Sequence, residues 1–259
     1  MRVEALAIAP VKGMQLAGVS EVQLRPWGPE GDRAFVVVDD RGALVQTRRT
    51  PELLAVAACW DAGRGLLTLT FPDGASVAAA PRPGEPRPVE LYGGRRVSGR
   101  AFGGPLADAL SEHLGRPVRL AALDPGQTAA DDHPVTLMSA ASLAQLAGAL
   151  GGTAPDPRRF RMTITAGGAE AWAEDGWMGQ EVTVGDALLR VLGPVPRCVV
   201  TTRDPDAGAA DLPVLKAVAR LRGKDAVTFG VWCGVVRPGR VRVGDPVGVA
   251  RAVPALPAR

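Results

Sequence analysis

Residues 66–79 have the sequence LLTLTFPDGASVAA, in which Pro72-Asp73-Gly74 separates Leu66 to Thr70 from Ser76 to Ala79. Two short strand-like segments joined by Pro, Asp and Gly predict a β-hairpin, because these turn residues reverse the chain between strands. The chain has 32 glycines and 23 prolines among 259 residues, which is high for a helical protein. A mainly β fold with many turns is therefore predicted.

The rest of the first half shows the same succession of short apolar segments and turn residues. Strands are predicted at Val3 to Ile8, Val19 to Leu24, Ala34 to Val38, Ala43 to Thr47, Val89 to Leu91 and Arg96 to Ser98. Ala43 to Thr47 is expected to return as the hairpin partner of the strand before it. The proline-rich segment Pro81 to Pro88 is expected to be a surface connection. Within this half, only Pro105 to Leu114 has helical spacing of its apolar residues.

The second half combines strands with two helices. After a loop at Asp124 to Asp132, the strand Val135 to Met138 leads into a helix at Ala140 to Leu150, for which Ser139 is a suitable N-cap. Leu212 to Leu221 is predicted to be the other helix. Further strands are predicted at Arg161 to Thr165, Glu181 to Val184, Leu188 to Val195, Thr228 to Val236, Val241 to Val243 and Val247 to Ala250.

These elements show no regular alternation of strand and helix, so parallel βαβ units are not expected. The predicted fold is mainly β with a few helices, of the α+β class, and consists of two β-barrel-like halves. The two domains are predicted to span residues 1–120 and 121–259.

Composition excludes several classes of protein. A net charge of +3 is too small to indicate nucleic-acid binding. Cys59, Cys198 and Cys233 are too few and too widely spaced for a disulfide framework or a CxxC site. The uncharged stretch His133 to Pro155 is expected to be a strand and an amphipathic helix rather than a membrane span, and Met1 to Lys12 a strand rather than a signal peptide. A cytoplasmic protein without membrane association is expected.

The common catalytic motifs are absent from the sequence, including dinucleotide and phosphate loops, the GxSxG elbow and the HExxH helix. Cys198 stands out instead, in the sequence Gly193-Pro-Val-Pro-Arg-Cys-Val-Val-Thr-Thr202. A neighbouring cation lowers a thiol pKa, and a thiolate is both a nucleophile and a soft metal ligand. A buried, inert cysteine is the alternative. Cys59 and Cys233 lie in apolar strand-like contexts and are expected to be structural.

Short motifs occur in an order that resembles a known family. They are Pro10-Val-Lys-Gly13, Gly31-Asp-Arg-Ala-Phe35, Gln46-Thr-Arg48 with Pro51-Glu-Leu53, Arg159-Phe-Arg161, Ala173-Glu-Asp-Gly-Trp177, Val184-Gly-Asp186, Pro196-Arg-Cys198, Phe229-Gly230 and Val243-Gly-Asp-Pro-Val247. The sequence resembles the MOSC proteins with an N-terminal β-barrel domain, a group that includes amidoxime-reducing components and bacterial reductases of N-hydroxylated bases.

The resemblance implies that Cys198 ligates the molybdenum of a molybdenum cofactor (Mo-pyranopterin) directly. It also implies that the residues at positions matching the motifs of the family bind the phosphate of the pterin and the atoms around it. The implied cofactor-binding residues are Lys12, Gly13, Arg33, Ser139, Arg161 and Arg197, the last of them near the metal.

Two positions depart from the pattern of the family. Met162-Thr163 stands where relatives often have Pro-Asn, so the resemblance implies the loss of an amide contact. Lys12-Gly13 replaces a Lys-Ser pair, which removes a hydroxyl donor. Asp175 and Trp177 suggest catalysis at first sight, but a turn acid and a packing tryptophan are the expected roles.

The resemblance implies an oxidoreductase that reduces small N-hydroxylated or N-oxide substrates. The chain has no cysteine cluster for an iron–sulfur domain, so the implied electron donor is a separate ferredoxin- or flavodoxin-like protein. Two alternatives remain. In one, Cys198 carries a persulfide and transfers sulfur; in the other, the protein is a non-catalytic carrier of the molybdenum cofactor.

Overall fold

The computed structural model describes residues 1–82, 84–224 and 227–250. Strands are the predominant regular structure of this part of the chain and are accompanied by three α-helices, which confirms the predicted mainly β class. The helices are α1 (Pro105–Leu114), α2 (Ala140–Ala149) and α3 (Val214–Arg222). The strands are β1 (Arg2–Ile8), β2 (Ala17–Val19), β3 (Glu21–Arg25), β4 (Gly28–Pro29), β5 (Phe35–Val38), β6 (Ala57–Asp61), β7 (Leu66–Thr70), β8 (Ser76–Ala79), β9 (Pro86–Glu90), β10 (Arg96–Phe102), β11 (Arg119–Leu123), β12 (Val135–Ser139), β13 (Ile164–Gly167), β14 (Glu181–Val184), β15 (Ala187–Pro196), β16 (Thr228–Arg237), β17 (Gly239–Arg242) and β18 (Val247–Val249).

The strands form four sheets. The largest has the order β18-β14-β15-β16-β12-β13-β1-β2, and a four-stranded sheet has the order β5-β11-β10-β9. The two remaining sheets are β6-β7-β8 and β17-β3-β4. Strands from the start of the chain therefore pair with strands from its second half. The domain limits at residues 120 and 121 stay a prediction.

The buried apolar residues form several clusters. Phe35, Leu53 and Leu67 belong to a cluster built from the first half of the chain. The large sheet covers a second cluster, in which Leu6 from β1 packs with residues of the second half such as Leu137 and Val231. A third cluster packs α2 and α3 against one end of this sheet; its buried members are Met138, Leu146, Phe160, Met162, Val214, Ala217, Val218 and Phe229.

Elements fixed by local chemistry match their predictions. β7 and β8 pair around the Pro72-Asp73-Gly74 turn, with Thr70 opposite Ser76. α1 has the predicted bounds and ends at Gly115, whose φ of 63° is the left-handed conformation usual at a helix C-terminus. The Ser139 hydroxyl accepts a hydrogen bond from the Ala141 N–H and caps α2 as expected.

Two predictions in the first half need correction. The segment Ala43 to Thr47 does return antiparallel to β5, where Leu44 bridges to Val38 and the Val45 N–H donates to the Val37 carbonyl, but this pairing is too short to form the expected strand. Part of the expected connection Pro81 to Pro88 is a strand, since β9 begins at Pro86 and pairs with β10. β9 lies at the edge of its sheet, where a proline removes no ladder hydrogen bond.

Two predictions in the second half also fail. β12 and β13 run parallel with α2 between them, so the chain contains a βαβ unit that its sequence pattern did not indicate. The strand expected at Arg161 to Thr165 begins only at Ile164. Arg161 follows a short 3-10 helix, Pro157–Phe160, in the left-handed conformation with a φ of 53°.

Among the described residues, no helix has both the length and the apolar character needed to cross a membrane.

Candidate functional site

Cys198 lies just beyond the end of β15, in a segment that is no longer part of a strand. It precedes a short 3-10 helix, Val199–Thr202, and its carbonyl accepts a hydrogen bond from the Thr201 hydroxyl at 3.0 Å. The residue is exposed to solvent. Cys233 is buried in an apolar environment that raises its thiol pKa to about 12. Cys198 is therefore a thiol that a ligand can reach, whereas Cys233 is not.

Arg197 precedes the thiol, and most of its donors bind protein atoms. Its Nε donates to the Phe229 carbonyl at 2.9 Å, its Nη1 to the Phe160 carbonyl at 2.7 Å, and its Nη2 to the Met162 sulfur at 2.8 Å. Burial lowers the pKa of Arg197 to about 9, and the neighbouring Cys198 opposes this shift. Arg197 thus contributes charge beside Cys198, but these donors fix the segment to the fold rather than point to a ligand.

Lys12 follows β1 and enters a nearly closed environment. Its ammonium donates to the Ala129 carbonyl at 2.7 Å and to Asp131 Oδ1 at 2.6 Å. The Lys12 side chain is 13% exposed and that of Asp131 67%. Burial lowers the pKa of Lys12, the charges of Arg33 and Arg161 lower it further, and Asp131 opposes the change. The ammonium group of Lys12 therefore lies near Arg33 and Arg161 and is hydrogen-bonded to the carboxylate of Asp131, whose side chain is mostly exposed to solvent.

Arg33 and Arg161 both have left-handed backbone conformations, with φ of 50° and 53°. Such conformations are uncommon for residues other than glycine and occur often at functional sites. Arg33 pairs with Asp32 and also lies in the field of Asp131. Although burial acts to lower the pKa of Arg33, these carboxylates raise it above its ordinary value.

Arg161 forms no ion pair with a carboxylate in the described part of the chain. Its Nη1 donates to the Met14 carbonyl at 2.8 Å, and its buried Nη2 has no hydrogen-bond partner among the described residues. Burial, together with the charge of Arg33, lowers the pKa of Arg161 to about 10, whereas Asp32, Asp131 and, to a smaller extent, Cys198 act to raise it. Arg161 is thus the residue that interacts electrostatically both with the neighbouring cation Arg33 and with Cys198.

We call Lys12, Arg33, Arg161, Asp32 and Asp131 the basic cluster. Its three cations exceed its two carboxylates, and of these cations Arg161 is the one near enough to Cys198 for its pKa to respond to it. The structure therefore brings together Lys12, Arg33, Arg161 and Cys198, the residues on which the proposed cofactor site most depends.

Ser139 and Gly13 behave differently from the cluster. Ser139 is fully buried, and its hydroxyl donates to the Glu170 carbonyl at 3.1 Å while it caps α2. The structure does not link this hydroxyl to the cluster. Gly13 has a φ of 90°, and a Cβ there would collide with Thr47 Oγ1. A serine is therefore excluded at this position, and the Thr47 hydroxyl occupies the space of its side chain.

Thr163 does not take over the amide contact that the family resemblance implies at this position. It is buried, its N–H donates to the Thr136 hydroxyl at 2.9 Å, and its own hydroxyl lies 3.3 Å from that of Thr136. The Met162 sulfur accepts a hydrogen bond from Arg197 instead. Both residues that depart from the family pattern serve the fold.

A cavity of about 10 Å³, the space of one water, is lined by four arginines and by mostly apolar neighbours: Arg158, Arg159, Arg161, Arg203, Gln15, Leu16, Leu54, Val200 and Pro205. Nε of Arg159, Nη2 of Arg161 and Nε of Arg203 are buried without a hydrogen-bond partner in the described part of the chain. Each such group costs about 1–3 kcal/mol. An excess of buried donors over acceptors suits the oxygen atoms of an anionic ligand.

Ion pairs hold the segment that follows Cys198. Arg158 donates to both carboxylate oxygens of Asp206, at 2.8 and 2.7 Å, and Arg159 binds Asp211 through both terminal nitrogens. Hydrogen bonds from these arginines lower the pKa of Asp206 and of Asp211. These acids therefore stay ionised and position the segment rather than transfer protons.

The chemistry of these residues suits a molybdenum cofactor. The described residues contain no group of three or more His, Cys, Asp and Glu side chains placed to hold a metal ion, so a metal at Cys198 would need further ligands from an organic group. The dithiolene of a pyranopterin would supply them, and the phosphate of the pterin would match the excess positive charge of the basic cluster. Cys198 would add a soft thiolate ligand.

Asp131, the acid that holds Lys12, carries no signal in the sequence. Removing its charge in Asp131→Asn is expected to increase the affinity of the cofactor-free protein for inorganic phosphate several-fold, because an anion then meets no competing carboxylate. The same change lowers thermal stability, since Lys12 stays buried without its partner. Calorimetric titration and thermal unfolding test both effects; weaker phosphate binding in the variant contradicts the assignment.

Glu174 is a second acid that the sequence did not reveal. It is fully buried, and its two carboxylate oxygens accept hydrogen bonds from the Ser142 hydroxyl at 2.9 and 3.0 Å. Burial raises its pKa above the ordinary value of 4.5. Its neighbour Asp175 pairs with Arg222, and Trp177 is buried in the core. This motif therefore holds α2 and α3 in place, as expected for Asp175 and Trp177.

The raised pKa of Glu174 predicts a pH-dependent contribution to stability. Between pH 4.5 and the raised pKa, the folded state binds more protons at this group than the unfolded state, so stability falls as pH rises through that interval. Glu174→Gln is expected to flatten the curve of unfolding midpoint against pH. Circular dichroism melts from about pH 4 to 8 measure it; an unchanged slope contradicts the prediction.

Comparison with known proteins gives matches over nearly the whole chain. Human mitochondrial amidoxime-reducing component 1 is 28% identical, with 95% of this chain and 82% of the relative aligned. A zebrafish (Danio rerio) molybdenum cofactor sulfurase is 27% identical over 88% of this chain but only 31% of its own length. A crystal structure of the YuaD protein from Bacillus subtilis aligns with 96% of this chain and 94% of its own at 13% identity, with a TM-score of 0.47.

Family profiles match both halves of the chain. The profile of the MOSC N-terminal β-barrel domain matches residues 1–117, and the profile of the MOSC domain matches residues 124–248. Together with the relatives above, these matches show that the chain belongs to the MOSC-domain proteins that carry a MOSC N-terminal β-barrel domain.

Proposed function

We propose that this protein is a molybdenum-cofactor-dependent oxidoreductase that removes oxygen from small N-hydroxylated or N-oxide compounds. The observation that carries the proposal is the exposed thiol of Cys198 beside a cation cluster in which Arg161 keeps an unused donor. The names of the relatives support a role connected with the molybdenum cofactor and with amidoxime reduction.

In the reaction, R–NHOH, two electrons and two protons give R–NH2 and water, as the N–O bond breaks. The bound cofactor supplies the two-electron redox change. Cys198 ligates the metal, and Lys12, Arg33 and Arg161 bind the phosphate and orient the pterin. Arg197 anchors the Cys198 segment through the carbonyls of Phe160 and Phe229.

In this proposal, the electrons come from a separate ferredoxin- or flavodoxin-like protein. The reductase itself works in the cytoplasm. Its cysteines are all free thiols, which is typical of reducing compartments. No part of the proposal requires a nucleic acid or a membrane.

The test is reduction of a panel of amidoximes, hydroxylamines and N-oxides by the purified protein, with dithionite-reduced methyl viologen as electron source. Molybdenum and pterin are measured in the same preparation. Reduction in proportion to molybdenum content supports the proposal. Protein with sulfane sulfur but no molybdenum favours a persulfide carrier, and stoichiometric molybdenum without any reductase activity favours a cofactor carrier.

A further inference from the structure

Lys12 and Gly13 are the two central residues of a tight turn. The Met14 N–H donates to the Val11 carbonyl at 3.2 Å and closes the turn, and Gly13 has a φ of 90°. A positive φ of about this size is required at the third position of a type II turn, where glycine adopts it without strain. The turn therefore fixes the backbone of Gly13 next to Lys12 of the basic cluster.

The N–H of Gly13 is a buried donor in this turn. Gly13 is buried, and its N–H has no hydrogen-bond partner among the described residues, whereas the N–H groups on either side of it donate to the carbonyls of Phe35 and Val11. Buried N–H groups are nearly always paired with protein, water or a ligand, because an unpaired one costs free energy. The Gly13 N–H is therefore available to an acceptor that a ligand brings.

The Thr47 hydroxyl lies beside Gly13. A Cβ on Gly13 would collide with Thr47 Oγ1, so the hydroxyl lies where the side chain of a larger residue 13 would begin. Thr47 is half-buried, and within the described part of the chain its hydroxyl makes no hydrogen bond, whereas the nearby Thr50 hydroxyl accepts one from Arg116 at 2.8 Å. Since a hydroxyl can donate one hydrogen bond, Thr47 has a donor to offer at this turn.

Arg161 brings a third donor to the same turn. Its Nη1 donates to the carbonyl of Met14, the last residue of the turn, at 2.8 Å, and its Nη2 is buried without a partner among the described residues. Three donors that bind no described atom, from Gly13, Thr47 and Arg161, therefore adjoin one turn that also carries the ammonium of Lys12. The terminal oxygens of a phosphate are strong acceptors and suit such a set of donors.

We propose that Thr47 is a phosphate-binding residue, whose hydroxyl donates, beside the N–H of Gly13, to a phosphate held by the basic cluster. This hydroxyl takes the place of the one that is lost where glycine stands at position 13. The proposal rests on the proposed function for the identity of its ligand, because the phosphate is then that of the pterin.

The test is calorimetric titration of the cofactor-free protein with inorganic phosphate. Thr47→Val keeps the shape of the side chain and removes the hydroxyl. It is expected to weaken phosphate binding about tenfold or more, because a hydrogen bond to a charged group is lost. Thr47→Ser keeps the hydroxyl and is expected to bind phosphate nearly as well as the wild type. The matched control is Thr68→Val, which removes the hydroxyl of a half-buried threonine on β7 and is expected to leave phosphate binding unchanged.

Cofactor content separates this inference from the proposed function. Molybdenum and pterin are measured in wild type and in Thr47→Val after the same purification, and the variant is expected to retain less of both. Wild-type protein without molybdenum and without reductase activity refutes the proposed function, while the phosphate titrations still decide the role of Thr47. Equal phosphate affinity in wild type and Thr47→Val, an equal loss in Thr47→Ser or in Thr68→Val, or no phosphate binding by wild type overturns the inference.

Discussion

Cys198→Ser is expected to give a folded protein that contains little or no molybdenum. A serine hydroxyl is a hard and far more basic ligand, so the soft metal–sulfur bond is lost. Changes next to a metal site already cost about 10–100-fold in affinity or activity, and loss of the protein ligand itself is expected to exceed that range. Because Cys198 is exposed, the change in stability is expected to stay within about 0.5 kcal/mol.

The measurements are molybdenum by mass spectrometry, pterin by fluorescence after oxidation, and reduction of an amidoxime. Cys59→Ser is the matched control, because Cys59 is also an exposed free thiol but lies on β6 in the first half. It is expected to retain wild-type molybdenum and activity. Equal molybdenum in wild type and Cys198→Ser refutes the ligand assignment, whatever the activity.

The sequence predicted best those features that depend on neighbouring residues. The β7–β8 hairpin follows from its Pro-Asp-Gly turn, and α1 ends at the glycine that permits a left-handed residue. The N-cap role of Ser139 follows from a serine before a helical pattern. Each of these needs only a few adjacent residues, so a single sequence contains the whole signal.

Features that depend on distant pairing could not be predicted in this way. Nothing near β1 shows that it pairs with β13, about 160 residues later. The left-handed Arg161 lay inside an apparently alternating segment. The sequence places Asp32 directly before Arg33, but it does not show that the Asp32 side chain of this ion pair is almost completely buried. Long-range packing decides all three.

The residues of the candidate site fall into the same two groups, those that the sequence could indicate and those that only the structure shows. The family resemblance supplied Lys12, Arg33, Arg161 and Cys198, which the structure brings together. The resemblance could not identify Asp131, because the sequence around an acidic residue in a loop does not show which cation it pairs with. Nor could it show that Thr47 fills the space beside Gly13, since that contact joins two separate loops.

Arg161→Gln is expected to lower anion affinity without lowering stability. Arg161 is a partly buried cation that forms no ion pair with a carboxylate among the described residues, and burial lowers its pKa to about 10. At neutral pH the folded state therefore bears the cost of keeping it charged, and glutamine removes that cost. The thermal midpoint is expected to be equal or higher. Each charge-assisted hydrogen bond contributes about 1.5–3 kcal/mol, so phosphate affinity is expected to fall about 10- to 100-fold.

Arg222→Gln is the control with the opposite expectation. Arg222 is also a partly buried arginine with a donor that lacks a partner among the described residues, but it pairs with Asp175 and lies over the ring of Trp172. Its loss is expected to lower the thermal midpoint and to leave phosphate binding unchanged. Titration of the cofactor-free proteins with phosphate, followed by thermal shift, gives both quantities. If Arg161→Gln loses stability and retains phosphate affinity, Arg161 holds the fold together and the anion site must be assigned to other residues.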